Sequence, residues 1–158
     1  MSAIRALVLL IALGIPLVAQ TRTETPKLPS GYSSWSIARD DASTLVFYSN
    51  FAQLDPEKPL AIWMQGSGYD SVFPEREGKL RPAAMALLSE ALGPEVQLLA
   101  VEKRGVTLGV RGNGGATEAP AEYHEYATLE DRAGDVVTVL SGFERQVGLP
   151  TRLLAIGH

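Results

Sequence analysis

The sequence predicts an α/β protein in which an amino-terminal antiparallel hairpin leads into parallel strands joined by crossover helices. Three observations carry this. The continuous apolar run at residues 60–64 and the mostly apolar runs at 96–101 and 152–156 have the length of strands buried on both faces. Two stretches with three- and four-residue apolar spacing lie between them. Strands alternating with helices of this length make right-handed βαβ crossovers.

The elements follow in order. Trp35, Ile37 and Arg39 alternate with Ser34, Ser36 and Ala38, and Leu45-Val46-Phe47-Tyr48 follows the acidic pair Asp40-Asp41, so a hairpin is expected. Pro56 and Pro59 punctuate a loop before the run at 60–64. That run enters Gln65-Gly66-Ser67-Gly68, which cannot remain a regular strand. Leu80, Ala84, Leu87, Leu88, Ala91 and Leu92 predict a helix closed by Gly93-Pro94. The second run ends in Glu102-Lys103-Arg104-Gly105, and residues 106–120 read as a Gly-rich loop. Thr128 is the expected N-cap of a second helix, with Asp131 three residues on. Its stripe is predicted as Leu129, Ala133, Val136, Val137, Leu140, Phe143 and Val147, and Gly148-Leu149-Pro150 ends it. The third run closes at Gly157-His158.

Residues 1–19 stand apart. Arg5 precedes an apolar run over 6–19 that would rise about 21 Å as a helix, short of the ~30 Å hydrocarbon core of a bilayer. This is the pattern of a secretory signal peptide, so a secreted or periplasmic location is expected. An uncleaved anchor is the rival reading, and only in that case would the protein touch a membrane. Residues 20–32 form a Pro-containing lead-in, and 33–158 the folded part.

Composition excludes several classes. A net charge of -4 offers no footprint for nucleic acid. The absence of cysteine removes disulfides, thiolate metal sites and a cysteine nucleophile. Two histidines are too few for a His-rich metal site. No metal and no cofactor is expected.

Parallel strands present their carboxyl ends on one edge, where open α/β sheets bind ligands. Gln65-Gly66-Ser67-Gly68, Glu102-Lys103-Arg104-Gly105 and Gly157-His158 are therefore expected together. In order and spacing they resemble the α/β-hydrolase family over nearly all of the chain after the leader. WMQGSG at 63–68 is similar to that family's oxyanion turn, usually His-Gly, after its third strand. VEKRG at 101–105 is similar to its Asp-x-Arg-Gly turn, with Glu102 in place of Asp. LLAIGH at 153–158 resembles the strand entering the nucleophile elbow Gly-x-Ser-x-Gly, with Gly157 and His158 as its first two positions.

The resemblance implies a partial α/β-hydrolase sheet, with Gly66 and the Ser67 backbone N–H on the oxyanion side and Gly157 and His158 flanking the elbow. The nucleophile is expected directly after His158, and the family's acid and base follow later still. The chain is thus expected to be an amino-terminal fragment without its triad, inactive as given. The implied substrate is a small-molecule or peptide acyl compound. A non-catalytic secreted binding module on the half-sheet is the alternative.

Other motifs have plainer readings. Ser67 is not itself an elbow serine, because glycines are missing two residues away on each side. His124 reads as a solvated histidine and Gly112-Asn113-Gly114-Gly115 as a loop without the Lys-Ser/Thr of a P-loop. Glu118, Glu122, Glu125, Glu130 and Asp131 have no EF-hand spacing. For Glu102, Lys103 and Arg104 two readings stand, a solvated turn or a part of the strand-end site.

Overall fold

The structure, a computed structural model, describes residues 27–66, 68–112 and 118–157. The leader, its cleavage point and the start of the lead-in lie outside these residues. Among the described residues no helix is long and apolar enough to cross a membrane.

The hairpin forms as expected. Strands β1 (Ser33–Ala38) and β2 (Thr44–Ser49) pair antiparallel, Trp35 facing Phe47 and Ile37 facing Leu45. Strand β3 (Leu60–Met64) is followed by a short hairpin of β4 (Glu75–Arg76) and β5 (Lys79–Leu80), then helix α1 (Ala83–Leu92). Strand β6 (Gln97–Val101), helices α2 (Ala121–Glu125) and α3 (Leu129–Val147), and strand β7 (Leu153–Gly157) complete the order. The five-stranded sheet runs β1-β2-β6-β3-β7, antiparallel across β1, β2 and β6 and parallel across β6, β3 and β7.

Both faces of the central strands are buried, which is why their sequences are almost wholly apolar, Gln97 being buried with its amide bonded to the Asp55 main chain. Leu60 and Ile62 of β3 and Leu99 and Val101 of β6 point to one core, closed by Val139 and Phe143 of α3. Ala61 and Trp63, with Leu98 and Ala100, point to the other, closed by Met85 of α1. This is the period-two geometry of a strand between two layers. The helices lie on opposite faces, and the sheet separates them.

Three expectations need correction. Leu80 belongs to β5 rather than to α1, because Pro82 is fixed just before the helix and the Glu77-Gly78 turn, with positive φ at both residues, reverses the chain first. The buried face of α3 carries Asp135, Val139, Gly142 and Phe143, while Leu129 is 72% and Val137 61% exposed. Val136, Leu140 and Phe143 of the expected stripe do pack on the core, while Leu129, Ala133, Val137 and Val147 lie outside, so the helix is rolled part of the way off its stripe. The physical reason is Asp135, held inward by Arg39 and Arg104. Finally, β7 is an edge strand among the described residues, with Leu153 and Leu154 each 48% exposed, instead of a strand covered on both faces.

The Thr128 cap is as expected: its Oγ1 accepts the Asp131 N–H at 3.1 Å, satisfying a free donor of the first turn. His124 is exposed, as read, but sits on α2.

Candidate active site

The three parallel strands do end on one edge. Met64, the last residue of β3, is level with Gly157 of β7, and Trp63 is level with Ala100 of β6. Gln65-Gly66, Glu102-Lys103 and Gly157 are thereby brought together. Ser67 and His158 lie outside the described residues, as do Asn113, Gly114 and Gly115.

Beside this edge, on the α1 side, is a cavity of about 520 Å³. Trp63, Val72, Pro74 and Ala84 give it apolar walls, and Gln65, Gly66, Gly68 and Lys103 give it a polar rim. That is the size and character of a small-ligand pocket.

Glu102 and Lys103 are not a solvated turn: they are 4% and 8% exposed. Gly105 bends the chain here with φ at +72°, and a Cβ would lie 2.7 Å from the Tyr123 backbone nitrogen, so only glycine fits. The Glu102 carboxylate accepts from Ser71 Oγ at 2.6 Å and from the Val72 and Lys103 backbone N–H groups at 3.1 and 3.2 Å. Burial pushes its pKa up to about 7, against the pull of those donors and of Lys103. The Lys103 ammonium donates to the carbonyls of Gly68 and Asp70, the latter at 2.9 Å. Burial brings it down to about 8, opposed by the negative charge of Glu102.

Arg104 turns the other way, toward α3. Its Nη2 lies 2.6 Å from Asp135 Oδ1, Arg39 reaches the same oxygen, and its guanidinium stacks on Tyr126 at 4.2 Å. Arg132, one turn earlier on α3, donates to the carbonyls of Gln65 and Gly66 at 3.4 and 3.3 Å and to Tyr123 Oη at 3.3 Å.

Ser71, Arg132 and Asp135 were not singled out by the sequence. One signal was available: Asp135 stands between Gly134 and Val136-Val137 inside an apolar helix, where a carboxylate needs a partner. Among the described residues no group of three or more His, Asp or Glu side chains could hold a metal ion.

No family model and no curated protein matches the sequence. Solved structures do. A PEG-bound cold-adapted esterase from an Arctic intertidal metagenomic library matches with a TM-score of 0.54 at 14% identity, over 87% of this chain and 55% of that one. Brefeldin A esterase, a bacterial homologue of human hormone-sensitive lipase, gives 0.46 at 15% identity, over 86% of this chain and 35% of its own. The first likeness shows the fold, a mixed α/β sheet arranged as in esterases with the α/β-hydrolase fold. This chain spans about half the length of that esterase.

Proposed function

We propose that the chain is the amino-terminal part of a secreted or periplasmic serine hydrolase that cleaves an ester, amide or similar acyl bond. The observation that carries this is the cavity bounded by the turn after β3, a strand whose last residue, Met64, is level with Gly157 of β7. In such a mechanism a serine oxygen adds to the acyl carbon while a base takes its proton. The developing oxyanion is held by backbone N–H donors, each worth about 2.7–4 kcal/mol. In this reading the Ser67 N–H, flanked by Gly66, is one donor. Gly157 and His158 open the elbow that would carry the nucleophile and the second donor. In this reading the nucleophile, acid and base all lie after His158, and the 158-residue chain alone is inactive.

The coding sequence beyond codon 158 is the first check, and Ser-x-Gly there is the expected continuation. A serine-directed fluorophosphonate should label the full-length product and not the 158-residue chain. No labelling of a full-length product that has the serine would refute the hydrolase.

The binding-module reading is favoured by one feature, that the cavity is walled by this chain's own residues. It requires the 158-residue chain to be monodisperse and cooperatively folded. In both readings the ligand is a small molecule or peptide and not nucleic acid. Amino-terminal sequencing of the exported protein, expected to start at Gln20, tests the signal peptide against the anchor.

A further inference from the structure

The geometry points to Glu102, Lys103 and Arg132 as positioning residues that hold the main chain after β3 in the shape the cavity requires. This rests on the reading of that turn as the oxyanion side of the site.

The main chain here leaves the sheet, so its polar groups need partners from elsewhere. Loop 106–112 supplies two, Val110 accepting from the Ser71 N–H at 2.9 Å and Gly109 from the Glu75 N–H at 2.9 Å. Three charged side chains supply most of the rest. Arg132 takes the carbonyls of Gln65 and Gly66, and Lys103 takes those of Gly68 and Asp70. Glu102 takes the Val72 N–H and the Ser71 hydroxyl, which itself accepts the Phe73 N–H at 3.2 Å. Six residues after β3 are gripped by three side chains from two elements, β6's end and α3.

The direction of the grip matters. Arg132 stands on α3, on one side of the sheet, whereas the cavity is walled by Ala83 and Ala84 of α1 on the other. A trans peptide carries its N–H opposite its oxygen. The Gln65 oxygen drawn toward α3 leaves the N–H of the same peptide, that of Gly66, for the cavity side, which is what an oxyanion donor needs. Lys103 and Glu102 then fix the returning limb.

The grip is also proton-sensitive. The Glu102 carboxyl accepts from Ser71, Val72 and Lys103 while burial holds its proton up to about pH 7, so opening this turn to water is coupled to loss of that proton. Tyr48 of β2, Asp70 of the loop, Arg132 of α3 and Lys103 itself face the pair. Arg104 and Asp135 lie across a small cavity of about 20 Å³ shared with it.

Hydrogen exchange on the 158-residue chain tests this without any need for activity. In Lys103→Met and Arg132→Met, amides of residues 68–74 should lose at least about tenfold in protection, with residues 33–49 of the β1–β2 hairpin unchanged. Lys103→Arg should restore most of it. Relative to intrinsic exchange at each pH, protection of the Val72 and Phe73 amides should fall as pH rises from 4.5 to about 7, where opening to water lets Glu102 shed the proton that burial holds, and Glu102→Gln should abolish that dependence. Unchanged protection at 68–74, or an equal loss throughout the sheet, would overturn the proposal. Should a variant not fold, the wild-type pH series decides alone, and a flat profile at Val72 and Phe73 overturns it. A negative fluorophosphonate result leaves this exchange pattern untouched, so failure of the hydrolase reading is separately visible.

Discussion

Replacing Asp135 by alanine should cost more stability than any other single change at a charged residue. The carboxylate is 3% exposed and bound by Arg104 through Nη2 at 2.6 Å and Nε at 3.1 Å, with Arg39 as a third ligand. Removing it leaves the Arg104 side chain, itself 6% exposed, as a buried cation facing a void. Breaking a buried pair in this way costs about 3–5 kcal/mol, a large share of the 5–15 kcal/mol that holds a typical domain together. Arg39→Ala should cost only about 1 kcal/mol, because that side chain is partly in water and Arg104 still neutralises the acid. Replacing the pair together, Arg104→Met with Asp135→Leu, should cost less than Asp135→Ala alone, because no charge is then stranded. The assay is urea unfolding followed by the fluorescence of Trp35 and Trp63. At a slope of about 1–3 kcal/mol per molar, the Asp135→Ala midpoint should fall by roughly 2 M. A loss under about 1 kcal/mol would refute the reasoning, as would a double variant as unstable as the single.

Four further outcomes follow from the structure. The raised pKa of Glu102 means that the folded chain keeps a proton the unfolded chain has lost between pH 4.5 and about 7. Stability should therefore decline as pH rises through that window, by up to about 3 kcal/mol, and Glu102→Gln should flatten the decline. Gly105→Ala should cost about 2 kcal/mol or more by urea unfolding, since it adds a positive-φ penalty to a Cβ 2.7 Å from the Tyr123 nitrogen. Thr128→Ala, losing the cap of α3, should cost about 1 kcal/mol in the same assay. Leu154→Lys on the exposed edge strand should reduce light scattering of the concentrated 158-residue chain without lowering its unfolding midpoint.

What the sequence shows and what it hides divide along a physical line. The β3 and β6 runs are legible because two buried faces favour apolar residues throughout, with Gln97 at the start of β6 as the exception. The Thr128 cap is legible because donor and acceptor are three residues apart. The strand-end turns are legible as a group because parallel pairing places them together. By contrast, Glu102 finds Ser71 and Val72 some thirty residues earlier in the chain, and nothing local marks those partners. The β4–β5 hairpin hides because two-residue strands carry no periodicity. The stripe of α3 misleads because an ion pair, invisible to hydropathy, sets the helix's rotation.

That rotation bears on how the chain reaches its fold. Helix α3 carries apolar residues over a wide arc: Val136, Val139, Leu140 and Phe143 pack on the sheet, while Leu129 and Val137 stay outside. A neighbouring apolar roll of the helix competes for the same place during collapse, a local conflict of the sort that roughens a folding landscape. Only the correct roll delivers Asp135 to Arg104, 31 residues away, and to Arg39, 96 residues away. The carboxylate therefore acts as a tie-breaker between neighbouring rolls, adding a charge interaction to the packing of Val139 and Phe143.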